Sequence, residues 1–147
     1  MSPAFSSLGC LLATAAYAVE LNPLFQDNAV LQCDARVPVW GTADNGEKIT
    51  VNFAGQSIST VGAGGVWKVW LNPMRPSATP GVLTVRGKTT REIGNILVGE
   101  VWVAGGQSNM ERRLGLTGGQ PPILNWEQAV ATANHPEIRE FHVQHKR

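Results

Sequence analysis

The chain has 147 residues, of which 43% are hydrophobic and 16% are charged, and its formal net charge is +1 at pH 7. This composition excludes a disordered polymer, because the apolar residues suffice to form a core. The chain has no block of like charge, so neither a nucleic acid nor an anionic membrane surface is predicted as a partner.

The first residues of the chain resemble a secretion signal. An apolar run at 8–16 leads into Ala16-Tyr17-Ala18, which has the small-x-small form that signal peptidases cleave. The run is too short to span a bilayer. We predict a signal peptide at 1–18 and a secreted, periplasmic or lysosomal-type location; the alternatives are an N-terminal extension or a misplaced start codon. After such a cleavage Cys33 has no cysteine left to pair with.

Residues 19–95 contain segments of strand length that are separated by turn signals. Apolar and polar residues alternate from Ile49 to Phe53, which is typical of a strand with one buried face. The segment around Trp67 alternates in the same way and leaves Trp70 on the opposite face. These patterns predict an antiparallel β-sandwich domain. The predicted strands cover residues 37–40, 48–53, 56–61, 66–71 and 82–86.

The pattern changes in residues 96–147. Residues 96–104 are almost continuously apolar, which is typical of a strand covered on both faces in a parallel sheet. A Gly- and Pro-rich connection, a helix at 126–133 capped by Asn125, and a second strand at 138–143 are predicted to follow. Strand, turn, helix and strand form one βαβ unit, which cannot bury its own faces. The predicted fold class is therefore β plus α/β, with a truncated α/β domain at the end.

A serine turn directly follows the predicted strand at 96–104. Such a turn exposes a side chain at the sheet edge, where ligands of α/β proteins bind. Ser108 is therefore the candidate nucleophile, and its backbone N–H is a candidate oxyanion donor. Its spacing differs from Gly-x-Ser-x-Gly, because Met110 stands at the second position after the serine. The residues that flank this site are Gly106, Gln107, Asn109 and Glu111.

The segment Gly106-Gln107-Ser108-Asn109-Met110-Glu111 resembles the first motif of the sialate O-acetylesterase family within the SGNH hydrolases. Six other segments resemble the same family in the same order: 27–32, 37–41, 46–51, 53–56, 98–102 and 133–139. The resemblance implies a flavodoxin-like, three-layer α/β/α hydrolase domain with Ser108 as its nucleophile. It also implies a carbohydrate esterase that removes O-acetyl groups from sialic acid or from polysaccharides such as xylan.

The resemblance also implies catalytic groups that have no counterpart in these 147 residues. The family's acid and base come from an Asp-x-x-His motif, which does not occur in this sequence. Two further oxyanion donors, a glycine and an asparagine, lie in later motifs of the family. We therefore expect the chain to be an incomplete and inactive part of a serine esterase.

Three histidines follow the serine: His135, His142 and His145. One of them can replace the missing base only if it lies within hydrogen-bond reach of Ser108; the alternative is an exposed position for each. His142 and His145 would stand on opposite faces of a strand. We therefore predict no metal and no cofactor.

Two other hypotheses about the whole chain stay open. In one, the chain is a carbohydrate-binding or interaction β domain with a vestigial α/β unit, which tryptophans exposed on one sandwich face would favour. In the other, it is a truncated reading frame whose unpaired strands invite aggregation.

Overall fold

A computed structural model describes residues 18–116 and 118–143. The predicted signal peptide lies outside these residues apart from Ala18, and so do His145 and the side chains of Asn109 and Glu111. The described residues form eight strands and two short helices. They are β1 Glu20–Leu21, β2 Val30–Gln32, β3 Val37–Thr42, β4 Lys48–Phe53, β5 Gln56–Val61, β6 Val66–Leu71, β7 Ser77–Arg86, β8 Thr90–Gly99, α1 Ser108–Glu111 and α2 Trp126–Ala131.

The strands form two sheets that share one hydrophobic core. The smaller sheet has the order β1-β3-β6, and the larger has the order β2-β8-β7-β4-β5. All neighbouring strands are antiparallel except β2, which pairs with β8 in parallel. Residues from both sheets contribute to the core cluster, among them Val39, Ile49, Val51, Leu71, Leu83 and Val85, all fully buried.

The predicted alternation of buried and exposed residues is confirmed in β4 and β6. Ile49, Val51 and Phe53 face the core, and the residues between them are half-buried. In β6 the three inward side chains are likewise buried, whereas Trp70 is 41% exposed on the outer face. A period of two residues on a strand therefore identified the inner face correctly.

The predicted α/β/α arrangement is wrong. The described structure is nearly all β, and its helices have only 4 and 6 residues. Helix α2 buries none of its side chains, so it covers no sheet face. Strand β8 ends at Gly99 rather than at residue 104, and residues 138–143 form no strand.

The apolar run at the end of β8 has a different cause from the one predicted. Ile96 and Val98 belong to the core shared by the two sheets. Leu97 is also buried, but it lines a groove on the other side together with Ile138 and Phe141. Both faces of β8 are thus covered within a β fold, so a continuous apolar run does not require an α/β sheet.

Candidate functional site

Ser108 is the first residue of α1, in a turn that follows an extended, exposed segment. Its side chain is exposed and has no hydrogen-bond partner within the described part of the chain. The N–H of Met110 donates to the carbonyl of Gln107 at 2.9 Å and closes the turn. A Cβ at position 106 would lie 2.6 Å from Cγ of Met110, so a larger residue there would force the Met110 side chain to shift.

The end of β2 holds the segment that leads to Ser108. The Oε1 atom of Gln32 accepts a hydrogen bond from the N–H of Val101 at 2.9 Å. Its Nε2 atom donates to Oε2 of Glu100 at 3.2 Å. The N–H of Cys33 donates to the carbonyl of Gly99 at 2.9 Å. These bonds set the direction in which the chain leaves β8 toward the serine turn.

A second group of polar residues holds a left-handed residue within β8. Asn95 has a φ of 55°, and its Nδ2 atom donates to Oδ1 of Asn28 at 2.6 Å. The carboxylate of Asp27 accepts the N–H of Gly94 at 2.6 Å. Arg139 donates to the carbonyl oxygen of Asn95 and, at 3.0 Å, to its Oδ1 atom. The segment near the chain's end is thus attached to β8.

The contacts of Gln32, Asp27 and Asn28 explain why these residues occur together in the segment 27–32. The segment resembles the sialate O-acetylesterase family, but its sequence predicts none of these contacts. Two features of the sequence point to such contacts: Glu100 is the one charge within 96–104, and the polar residues Asp27 and Asn28 precede β2. Neither feature identifies a partner that lies more than sixty residues away in the sequence.

Cys33 is not an alternative nucleophile at neutral pH. Its side chain is buried, with 3% of the residue exposed, and Sγ donates to Oε1 of Glu100 at 3.4 Å. Burial raises the pKa of the Cys33 thiol, and the hydrogen bond and negative charge of Glu100 raise it further. The thiol therefore stays protonated, and a protonated thiol reacts poorly.

The raised pKa of Cys33 predicts a loss of stability at alkaline pH. An unfolded chain releases the thiol proton near an ordinary pKa of about 8.5, whereas the folded chain retains it to higher pH. The free energy of unfolding should therefore fall as pH rises above about 8.5. Urea unfolding between about pH 7.5 and 10 measures this slope, which should be smaller for Cys33→Ala. Equal slopes for the two proteins would contradict the prediction.

Neither described histidine makes a hydrogen bond to Ser108. His135 and His142 are exposed, and neither imidazole makes a hydrogen bond to another described residue. The carbonyl of His135 accepts the N–H of Ile138 at 2.9 Å, which places this residue in a turn. Over residues 18–116 and 118–143, no three His, Cys, Asp or Glu side chains are close enough together to hold a metal ion.

A groove of about 970 Å³ runs beside the segment that leads to Ser108. Its volume is within the usual range for small-molecule sites. Ser108 itself does not line it, and neither do the predicted flanking residues. The residues with large apolar side chains that line it include Phe25, Leu31, Trp40, Leu97, Trp102, Ile138 and Phe141.

No helix in the described ranges has the length and hydropathy needed to cross a bilayer.

Comparison with known proteins links this structure to an enzyme. No family model matches the chain, and neither does any curated protein. A solved structure does match: a carbohydrate acetylesterase from Xanthomonas citri, with 38% sequence identity over 81% of this chain and a TM-score of 0.70. The chain is related to a carbohydrate acetylesterase. It spans about a quarter of that enzyme's length, 26%.

Because 81% of the chain is matched, the similarity extends well beyond any single motif.

Proposed function

We propose that the chain is part of a carbohydrate ester hydrolase and carries its nucleophile, Ser108. The observation that carries the proposal is the relation to a carbohydrate acetylesterase at 38% identity. The exposed position of Ser108 in a glycine turn supports it, because a nucleophile must be reached by its substrate. The substrates proposed are O-acetylated sugars, either sialic acid or polysaccharides, as the resemblance to the sialate O-acetylesterase family implies.

In the proposed reaction, Ser108 supplies both the nucleophile and one donor to the oxyanion. Its Oγ attacks the ester carbonyl, and the developing oxyanion accepts a hydrogen bond from the backbone N–H of Ser108. Collapse of the tetrahedral intermediate expels the sugar hydroxyl and leaves an acetyl group on the serine. Water then hydrolyses this ester and releases acetate, which restores the free hydroxyl.

The serine needs a base, and the described residues do not place one beside it. No described residue makes a hydrogen bond to the Ser108 hydroxyl. A serine hydroxyl is a weak nucleophile until a neighbouring base accepts its proton. We therefore propose that the base of the working enzyme comes from outside residues 18–116 and 118–143. Secretion through the segment at 1–18 is part of the same proposal, since polysaccharide substrates lie outside the cell.

The experiment that tests the proposal combines an assay with a covalent label. The polypeptide translated from the complete reading frame is incubated with acetylated xylan and with O-acetylated sialic acid, and acetate release is measured. Deacetylated xylan is the control. A fluorophosphonate, which labels activated serines, is then located by peptide mapping. Acetate release with the label on Ser108 supports the proposal, whereas no release, or a label on another serine, contradicts it.

A further inference from the structure

The outer face of the smaller sheet carries two tryptophans and a lysine side by side. Trp40 of β3 stands opposite Lys68 of β6, and Trp70 stands opposite Pro38. Residues directly opposite each other in an antiparallel pair point to the same face. We call these four residues the tryptophan face. Ser108 is not part of it, although Pro38 and Trp40 also line the groove beside the segment that leads to Ser108.

Two cations lie over the indole rings of the tryptophan face. Nζ of Lys68 is 4.8 Å from the ring centroid of Trp70 and 6.0 Å from that of Trp40. The guanidinium carbon of Arg36 is 5.3 Å from the Trp70 centroid. These are cation–π distances, which leave the hydrogen-bond donors of both cations free for an anion.

No acidic group within the described ranges neutralises these cations. Neither Lys68 nor Arg36 takes part in an ion pair or hydrogen bond with a described residue. Glu20 stands opposite Thr42 on the same sheet, but its carboxylate already binds Arg91. The tryptophan face therefore combines apolar rings with positive charge that has no counter-ion among the described residues.

The tryptophan face is also preformed and partly concave. The ring of Phe25 contacts Trp40 edge-on, with centroids 4.9 Å apart and an interplanar angle of 86°, and Phe25 itself is buried. A depression of about 580 Å³ adjoins the face and is lined by Trp40, Lys68, Val61 and other residues. A rigid ring beside a depression suits a ligand, because little conformational freedom is lost on binding.

We propose that the tryptophan face binds an acidic polysaccharide that contains hexuronic acid units. The carboxylate of a uronate pairs with Lys68 and Arg36, and the apolar C–H face of its pyranose ring packs beside them against the exposed part of the indoles. A neutral polysaccharide supplies the ring but leaves both cations unpaired. An acidic peptide supplies carboxylates without a flat apolar ring for each tryptophan. The combination of indoles and unpaired cations therefore selects a uronate polymer.

The test measures binding of the 147-residue chain to oligogalacturonate by titration calorimetry. Lys68→Gln removes the central charge and should raise Kd about tenfold. Trp70→Ala should raise it by at least as much, and Trp70→Phe should restore part of the affinity. The matched control is Arg86→Gln, an exposed arginine without an ion pair on the larger sheet. It should bind like the parent chain, and circular dichroism checks that every variant is folded.

Each outcome supports or overturns the proposal. Loss of affinity in the Lys68 and Trp70 variants alone, with binding that weakens as salt rises, supports it. No binding to the parent chain, or equal binding to all variants, overturns it. If neutral xylo-oligosaccharides bind as tightly as oligogalacturonate, the ligand's carboxylate has no role in binding and the proposal is overturned. Preference for oligoglutamate with the same dependence on Lys68 and Trp70 shows an acidic protein segment as the partner and overturns the polysaccharide.

Discussion

In the polypeptide translated from the complete reading frame, replacement of Ser108 by alanine should lower the rate of acetate release from acetylated sugars by about a thousandfold or more. The alanine removes the atom that forms the acetyl-enzyme, so the two-step route closes and only direct attack by water remains. Binding of the sugar should change little, because the hydroxyl contributes mainly to the transition state. The loss should therefore appear in kcat, with KM close to its original value.

The control for this prediction is Ser57→Ala. Ser57 lies in β5, is exposed, and its hydroxyl makes no hydrogen bond within the described part of the chain. The two variants remove the same atom, so any general effect of losing a hydroxyl appears in both. Retention of activity in Ser108→Ala, or an equal loss in Ser57→Ala, would show that another residue is the nucleophile.

The Ser108→Ala variant also tests whether the 147-residue chain lacks a catalytic base. The 147-residue chain by itself should hydrolyse an aryl acetate no faster than its Ser108→Ala variant, because the described residues hold no base against the serine. The polypeptide from the complete reading frame should show the full difference between the two. Serine-dependent turnover by the 147-residue chain would contradict the proposal that the base lies elsewhere.

Truncation of Leu83 should produce the largest loss of stability among single substitutions in β7. Leu83 is fully buried in the core, where it stands opposite Ile93 of β8. Leu83→Ala should lower the free energy of unfolding by about 2–5 kcal/mol, because the removed methyl groups leave a cavity that the packed sheets fill only partly. Urea unfolding followed by tryptophan fluorescence measures this change.

Val82 provides the matched control because it precedes Leu83 in the same strand and is 56% exposed. Val82→Ala should change the free energy of unfolding by about 1 kcal/mol or less, mostly through the lower strand propensity of alanine. Comparable losses for the two variants would mean that Leu83 is not the residue that faces the core. The same comparison therefore checks the register of β7 against its neighbours.

Strands β4, β5 and β6 have the predicted bounds because the signal for each is local, whereas β7 begins at Ser77, five residues before the predicted start. In β4 and β6, side chains alternate between core and surface with a period of two residues, so the pattern in the sequence is the pattern of burial. The glycine turn around Ser108 was predictable for a similar reason. A Cβ at position 106 would clash with the side chain of Met110, a neighbour four residues along the chain.

The α/β prediction failed because one sequence pattern has two physical causes. A continuous apolar run shows that both faces of a strand are covered but not what covers them. In β8, Ile96 and Val98 belong to the core shared by the two sheets, whereas Leu97 is buried outside that core cluster, beside the groove that Ile138 and Phe141 line. Helix α2 has nearly the predicted position, yet it buries no side chain and covers no sheet.

The contacts that position the serine turn could not be predicted for a related reason. Gln32 binds Glu100 across 68 residues, and Arg139 binds Asn95 across 44. A polar side chain in a sequence shows that it needs a partner, whereas only the packing of distant strands determines which partner lies within reach.

The sequence by itself thus determined the inner faces of strands β4 and β6, because each depends on neighbours a few residues apart. The assignment of Ser108 as the nucleophile stays a prediction. The tertiary structure alone decided the two-sheet architecture, the Gln32 and Arg139 contacts and the tryptophan face. Each of these depends on which strands pair, and strand pairing is set by the burial of the whole core.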